Sequence, residues 1–469
     1  MSAQEKASDI EMKPLYKTHL EADINETKDS TEMNKLDIQR TDGKSSSEGA
    51  SDKPSSILST VIALLSTIVP SGGMISTIFS VAATSVGSGI MGLPAAFNST
   101  GIIIAIVYLI VITAETVYSM RLLAQTAEKT KLRSYEELSV LLHPKAYIVV
   151  SILRMLSTLS GTIAFVVTLG DLLKPILESI DGTPSFLLKT TGHKLLQIGF
   201  WLVFMFPFAF PRKFNTLRYA SIFGISFMFY LIIVIILHYF MHGFKADPPA
   251  HTNLANTGNT ALDGMGIFIF VYMCQINCLE IYFEMTKRSI KRFTLCISIS
   301  LIFCGLLYFA TGLFGYLDFG DAVTGSILHH YNPIKEPQIF VCYVGIFFKI
   351  CVSFGLLNNT CRCALFSLID WDPQAASTKK HIIGSVGLAF LALILGIAVP
   401  NITIVFALSG GILGGSIGFM LPALFIMYSG NWSLKSVGVI NYVCTYLVLL
   451  GGVAGLVFST GSSLYSTFR

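Results

Sequence analysis

The sequence predicts an all-α polytopic membrane protein of about 11 transmembrane helices. Three observations lead there. Mean hydropathy is +0.66 and only 13% of the 469 residues are charged, against about a quarter in a soluble chain. Apolar runs long enough to cross a bilayer recur along the chain. The basic residues between those runs fall mostly on alternate loops, as the positive-inside rule requires.

The first segment, residues 1–56, reads as a disordered cytoplasmic tail. Residues 1–53 hold 8 Lys/Arg and 12 Asp/Glu, and such a stretch cannot bury enough apolar surface to offset its ordering entropy. No apolar core follows the start, so it is not a signal peptide. A solvated tail is the reading, and a regulatory segment the alternative. Removing its charges from the totals of 32 basic and 28 acidic leaves 24 and 16. The remaining domain, 57–469, is therefore net basic, with no nucleic-acid balance, and the excess belongs in loops on one side of a bilayer.

Residues 57–69 are apolar but too short to span, and Pro70 with Gly72 and Gly73 ends them, which suits an interfacial pre-helix. Eleven expected spans follow, at 74–97, 101–124, 146–172, 194–210, 217–240, 262–284, 294–316, 338–360, 382–400, 402–428 and 437–459. With the N terminus inside, sixteen Lys and Arg from Arg121 to Lys435 lie in cytosolic loops and six, including Lys174, Lys245 and Arg469, lie opposite. That bias places the N terminus in the cytoplasm and the C terminus outside or in a lumen.

Two spans are interrupted. In the first, Gly87, Gly89, Gly92 and Pro94 break the helix. In the sixth, the polar Gln275 and Asn277 sit mid-span. A broken backbone at membrane depth is tolerated only where it is buried in protein or lines a cavity. Breaks five spans apart fit two inverted five-helix repeats with one helix added. Gly87, Gly89 and Gly92 also match a dinucleotide-binding G-x-G-x-x-G, with Glu115 near the position of its acidic partner. That motif needs a strand–turn–helix context, and here it is flanked by uninterrupted apolar sequence.

At these residues the chain resembles the amino acid/auxin permease family of the amino acid–polyamine–organocation superfamily. Gly87 to Phe97 is similar to that family's first-helix signature. Pro207 to Tyr219 resembles its connection between the fourth and fifth helices. Gln275 to Asn277 with Ile281 to Met285 resembles its sixth helix, and Gly411 to Leu424 its tenth. The segments occur in order within residues 70–460, and their wording is closest to trypanosomatid amino acid permeases. The resemblance implies secondary active amino acid transport by alternating access, with no covalent chemistry and no cofactor. It implies that the substrate carboxylate meets the backbone of Gly87, Ser88 and Gly89, and that the ammonium lies near Thr84, Ser85, Gln275 and Asn277. Helix-dipole physics divides the labour in the same way.

Four ionisable residues stand deep in apolar runs: Glu115, Arg154, Glu280 and Lys349. Such residues face cavities or pair with one another. Glu280, one turn after the sixth-span break, has three readings: a partner for a cationic side chain, a carrier of the coupling proton, or half of a structural pair. The first points to arginine, lysine or ornithine as substrate, with a neutral amino acid the alternative. Lys349 and Ser353 share one helix face. The superfamily resemblance places a sodium site between the first and eighth helices, and an ammonium there replaces the metal and implies proton coupling. The alternative for Lys349 is a headgroup or structural contact. Arg154 reads as a side chain snorkelling to the cytosolic interface.

The nine cysteines lie mostly in apolar runs and read as small hydrophobes. Cys361 and Cys363 lack metal partners at ligand spacing. Gly414, Ser416 and Gly418 match G-x-S-x-G, but inside a span they read as helix-packing residues. The rivals to a permease are a sensor on the same fold and a channel. The plasma membrane is the expected location.

Overall fold

The computed structural model describes residues 72–180, 182–211, 215–243, 250–369, 371, 377–399 and 401–468, with side chains at 215–223, 367 and 467–468 left aside. The expected tail, the 57–69 pre-helix and residues 212–214 of the fourth-to-fifth connection lie outside them.

All regular structure among the described residues is helical. The first span is two helices, α1 (Met74–Ser85) and α2 (Leu93–Thr100), bent by 51° across the glycine-rich break. Ser88–Gly92 forms a 3-10 turn between them. Pro94 stands at the start of α2, where a missing N–H costs nothing. Gly101 (φ 78) ends α2 and turns the chain into α3 (Ile102–Thr130). A side chain on Gly101 would also strike the backbone of Ala255, 2.6 Å from the Cβ position. Ser134 then caps a short helix, α4 (Tyr135–Ser139), by accepting from the Glu137 N–H.

The long α5 (Ala146–Ser179) follows, then α6 (Thr190–Phe200) and α7 (Asn215–Met241). The sixth span opens with α8 (Asn259–Val271), unwinds, and resumes as a 3-10 turn at Gln275–Asn277 and α9 (Cys278–Glu284). Next come α10 (Ile290–Phe319), α11 (Pro337–Leu368) and α12 (Thr378–Ala398). The next span joins α13 (Ile402–Leu408) and α14 (Leu421–Tyr428) through a wide π-type stretch, Ser409–Met420. The last holds α15 (Val439–Ala454) and α16 (Thr460–Phe468).

Among the described residues, nine helices are long and apolar enough to cross a membrane, and the bent α1–α2 pair, taken as one span, makes ten. The exact count of eleven is not confirmed among the described residues. The difference is the expected span 194–210, which is α6 continued by a π turn, Trp201–Met205, and a 3-10 turn, Phe206–Ala209. Its first half carries Thr190, Thr191, His193, Lys194 and Gln197, which lower its hydropathy. Gln197 is buried and donates to the Val166 carbonyl of α5 at 2.7 Å.

The interrupted spans pack on each other: α8 against α2, and α9 against α1. Around them stand α3, α5 and α10 and the Ser409–Met420 stretch. That stretch works through its glycines. A Cβ on Gly414 would meet Ile269, on Gly415 the backbone of Gly452, and on Gly418 the side chain of Gln275. The G-x-S-x-G match is therefore a close-packing surface between the sixth and last spans.

Candidate functional site

The first-span break leaves donors free. Val86 still bonds back to Ala82 (2.8 Å), closing α1. Ser88 and Gly89 open the next turn, so no intrahelical acceptor precedes them. Among the described residues no turn or side-chain hydrogen bond takes the N–H of Gly87, Ser88 or Gly89. Three consecutive unpaired amides at a helix start favour an anion.

The glycines there differ in surroundings. A Cβ on Gly89 would stand 2.6 Å from Val271 Cγ1 and 3.1 Å from Phe270 Cδ1, so Gly89 lets the first span touch the sixth. At Gly87 the nearest atom is the Ser85 carbonyl oxygen, 4.0 Å away, and the backbone is extended (φ −118). Gly87 opens onto free space. Thr84 is exposed and Ser85 buried, and both hydroxyls donate to the Val81 carbonyl, at 2.9 and 3.0 Å. Ser88 is buried.

The sixth-span break supplies Gln275 and Asn277. Gln275 is 1% exposed, and its Oε1 has no hydrogen-bond partner. A buried unsatisfied oxygen is costly and calls for a donor such as an ammonium. The Gln275 carbonyl is held by the Tyr135 hydroxyl at 3.2 Å, which also reaches the Ile417 carbonyl at 3.4 Å. Asn277 is half-buried at the end of the turn.

Lys349 is brought to the first break. It is 5% exposed, and its Nζ donates to the Val86 carbonyl at 2.7 Å. No carboxylate forms an ion pair with it among the described residues. Its stem lies along α7, where the Cβ position of Gly224 is 3.0 Å from Lys349 Cβ and Cγ. Ser353 is one turn further on and half-buried.

Two other charged expectations come out differently. Arg154 is not a snorkelling side chain. Its Nη1 lies 2.8 Å from both oxygens of Glu136 on α4, and the pair is largely buried (19% and 11% side-chain exposure). Glu280 lies at the protein surface, and Arg154 is the cation that acts on it. Glu115 lies against the backbone of Gly451 on α15.

Sequence reasoning missed Tyr135, Glu136 and Val86. Tyr135 and Glu136 lie in a short loop helix with no apolar periodicity. Val86 acts through its carbonyl, which any residue supplies.

Broken helical spans with unpaired amides at the break are the form in which transporters build substrate sites. The chain belongs to the transmembrane amino acid transporter protein family, whose sequence model matches residues 70–463. It is similar to sodium-coupled neutral amino acid transporter 7 of Danio rerio, 24% identical over 412 residues, or 83% of this chain and 86% of that one. It is 28% identical to vacuolar amino acid transporter 6 of Saccharomyces cerevisiae over 306 residues, covering 61% and 64% of the two chains. Amino acid transporter AVT6C of Arabidopsis thaliana is 26% identical over 417 residues, covering 83% and 93%.

Proposed function

We propose that the protein is a proton-coupled secondary transporter of amino acids working by alternating access. The observation that carries this reading is the set of unpaired N–H groups at Gly87, Ser88 and Gly89 beside the open face of Gly87. An α-carboxylate is the anion every amino acid offers, and these amides are its site. The α-ammonium then meets Gln275 Oε1, with Asn277, Thr84 and Ser85 around it.

Lys349 is the proton carrier. Its ammonium on the Val86 carbonyl fills the place where a bound sodium would ligate the broken first span. Without a carboxylate partner it can hold a proton in one half of the cycle and release it in the other. The Danio rerio relative is named sodium-coupled, so coupling is the point at which this chain departs from it. Ser353 on the same face completes the coupling site.

The substrate is a neutral amino acid. The cationic reading depended on a Glu280 with no cation inside the protein, whereas Arg154 acts on it. The neutral reading agrees with the name of the Danio rerio relative.

The test is Lys349→Gln in liposomes holding the full chain. Exchange of labelled amino acid across the membrane should persist, while accumulation driven by a pH gradient is lost. Undiminished gradient-driven accumulation would remove Lys349 from the coupling site.

A further inference from the structure

The end of the bundle opposite the Arg154–Glu136 pair carries a group of imidazoles and carboxylates that transport, as described, does not use. Asp171 on α5 marks that end: it is seventeen residues beyond Arg154 on the same helix, or roughly 25 Å. At that end His238 of α7 stands between two carboxylates. Its Nδ1 lies 2.5 Å from Asp318 Oδ2, near the end of α10, and its Nε2 lies 3.5 Å from Glu336 Oε2, the residue that caps α11. Side-chain exposures are 10% for His238, 2% for Asp318 and 22% for Glu336.

Both ring nitrogens of His238 therefore face carboxylate oxygen. A neutral imidazole has one N–H and one lone pair, so one carboxylate would confront the lone pair. The imidazolium donates from both sides. Charge-assisted bonds of this kind are about twice as strong as neutral ones. The other groups packed around the ring are themselves rings. The His242 ring stacks on it at 4.6 Å and the Tyr331 ring meets it edge-on at 4.9 Å. Phe319 covers another face at 5.8 Å. His330 packs on Phe319, and burial with the neighbouring His329 holds its imidazole below the usual range. Glu336 also accepts from Gln338 at 3.3 Å. The loop between α10 and α11 is tied down a second time, by His329 Nε2 at 2.9 Å from Asp171 Oδ1.

We propose that His238, Asp318 and Glu336 form a proton-binding site that locks the ends of α7, α10 and α11 together. With the proton bound, one imidazolium holds two carboxylates from two further helices. With the proton lost, a single N–H remains for both, one carboxylate is released, and the α10–α11 connection loosens. The site reads the pH of the compartment on that side of the membrane, separately from Lys349.

The experiment is hydrogen exchange of the full chain in detergent, followed in residues 318–336 at about pH 6 and about pH 8 and corrected for intrinsic exchange. Wild-type protection should fall about tenfold between the two, the worth of one charge-assisted hydrogen bond. In His238→Gln it should be the same at both. An equal pH-dependent fall in His238→Gln, or none in wild type, overturns the proposal. If His238→Gln does not fold, Glu336→Gln serves. It removes one negative charge beside the ring and should shift the transition to lower pH, and an unshifted transition also overturns the proposal. Neither readout uses transport, so failure here leaves the transport reading standing.

Discussion

Gly87 and Gly89 separate a ligand site from a packing site, because one opens onto space and the other onto a side chain. In Gly87→Ala the new methyl meets nothing closer than the Ser85 oxygen, 4.0 Å away, and the extended backbone suits any residue. Stability should hold or rise by about 0.4–1 kcal/mol, since the unfolded chain loses freedom. If a carboxylate docks on the neighbouring amides, the methyl pushes it off. Losing two charge-assisted hydrogen bonds at about 1.5 kcal/mol each costs about a hundredfold in affinity. Gly89→Ala does the reverse. Its Cβ would stand 2.6 Å from Val271 Cγ1, on a β-branched side chain with little freedom to turn. Overpacking of that kind costs about 1–3 kcal/mol of stability. The assays are labelled uptake, for KM, and thermal unfolding in detergent, for stability. A Gly87→Ala protein with normal stability and wild-type KM would refute the carboxylate assignment.

Gly224→Ala should disturb coupling from a distance, because its Cβ would press on the Lys349 stem 3.0 Å away. The expected result is weaker gradient-driven accumulation with exchange preserved, and unchanged coupling would show that the lysine tolerates displacement. Glu136→Gln leaves Arg154 without the carboxylate that holds it by two 2.8 Å contacts. Breaking a buried pair costs about 3–5 kcal/mol, so thermal unfolding should fall sharply. Replacing both residues, Arg154→Met with Glu136→Leu, should recover most of the loss, and a single variant as stable as wild type would contradict the pairing.

The bundle was legible because each of its helices must be apolar for a spanning length, and the two interruptions because glycine, proline and amides are out of place there. Lys349 was expected beside the first span through the family resemblance, which sets a cation site between the first and eighth helices, and its Nζ does donate to the Val86 carbonyl there. Partner choice was not legible. Arg154 looked interfacial from its position near a span end, yet its partner Glu136 comes from a loop helix eighteen residues earlier. Glu280 looked partnerless because its sequence neighbours are apolar, but on the first turn of α9 it is acted on by Arg154 of α5. The expected fourth span shows how far composition reaches. A helix tied to α5 by Gln197 and His193 satisfies its polar groups within the bundle and so needs less hydropathy.

The measurement that bears most directly on the account is counterflow in liposomes containing the full chain, with a panel of amino acids and with sodium replaced by choline. The account predicts saturable counterflow of neutral amino acids in choline, with accumulation when a pH gradient is imposed. Counterflow of none of them would leave a sensor on this fold, and strict dependence on sodium would contradict the role given to Lys349.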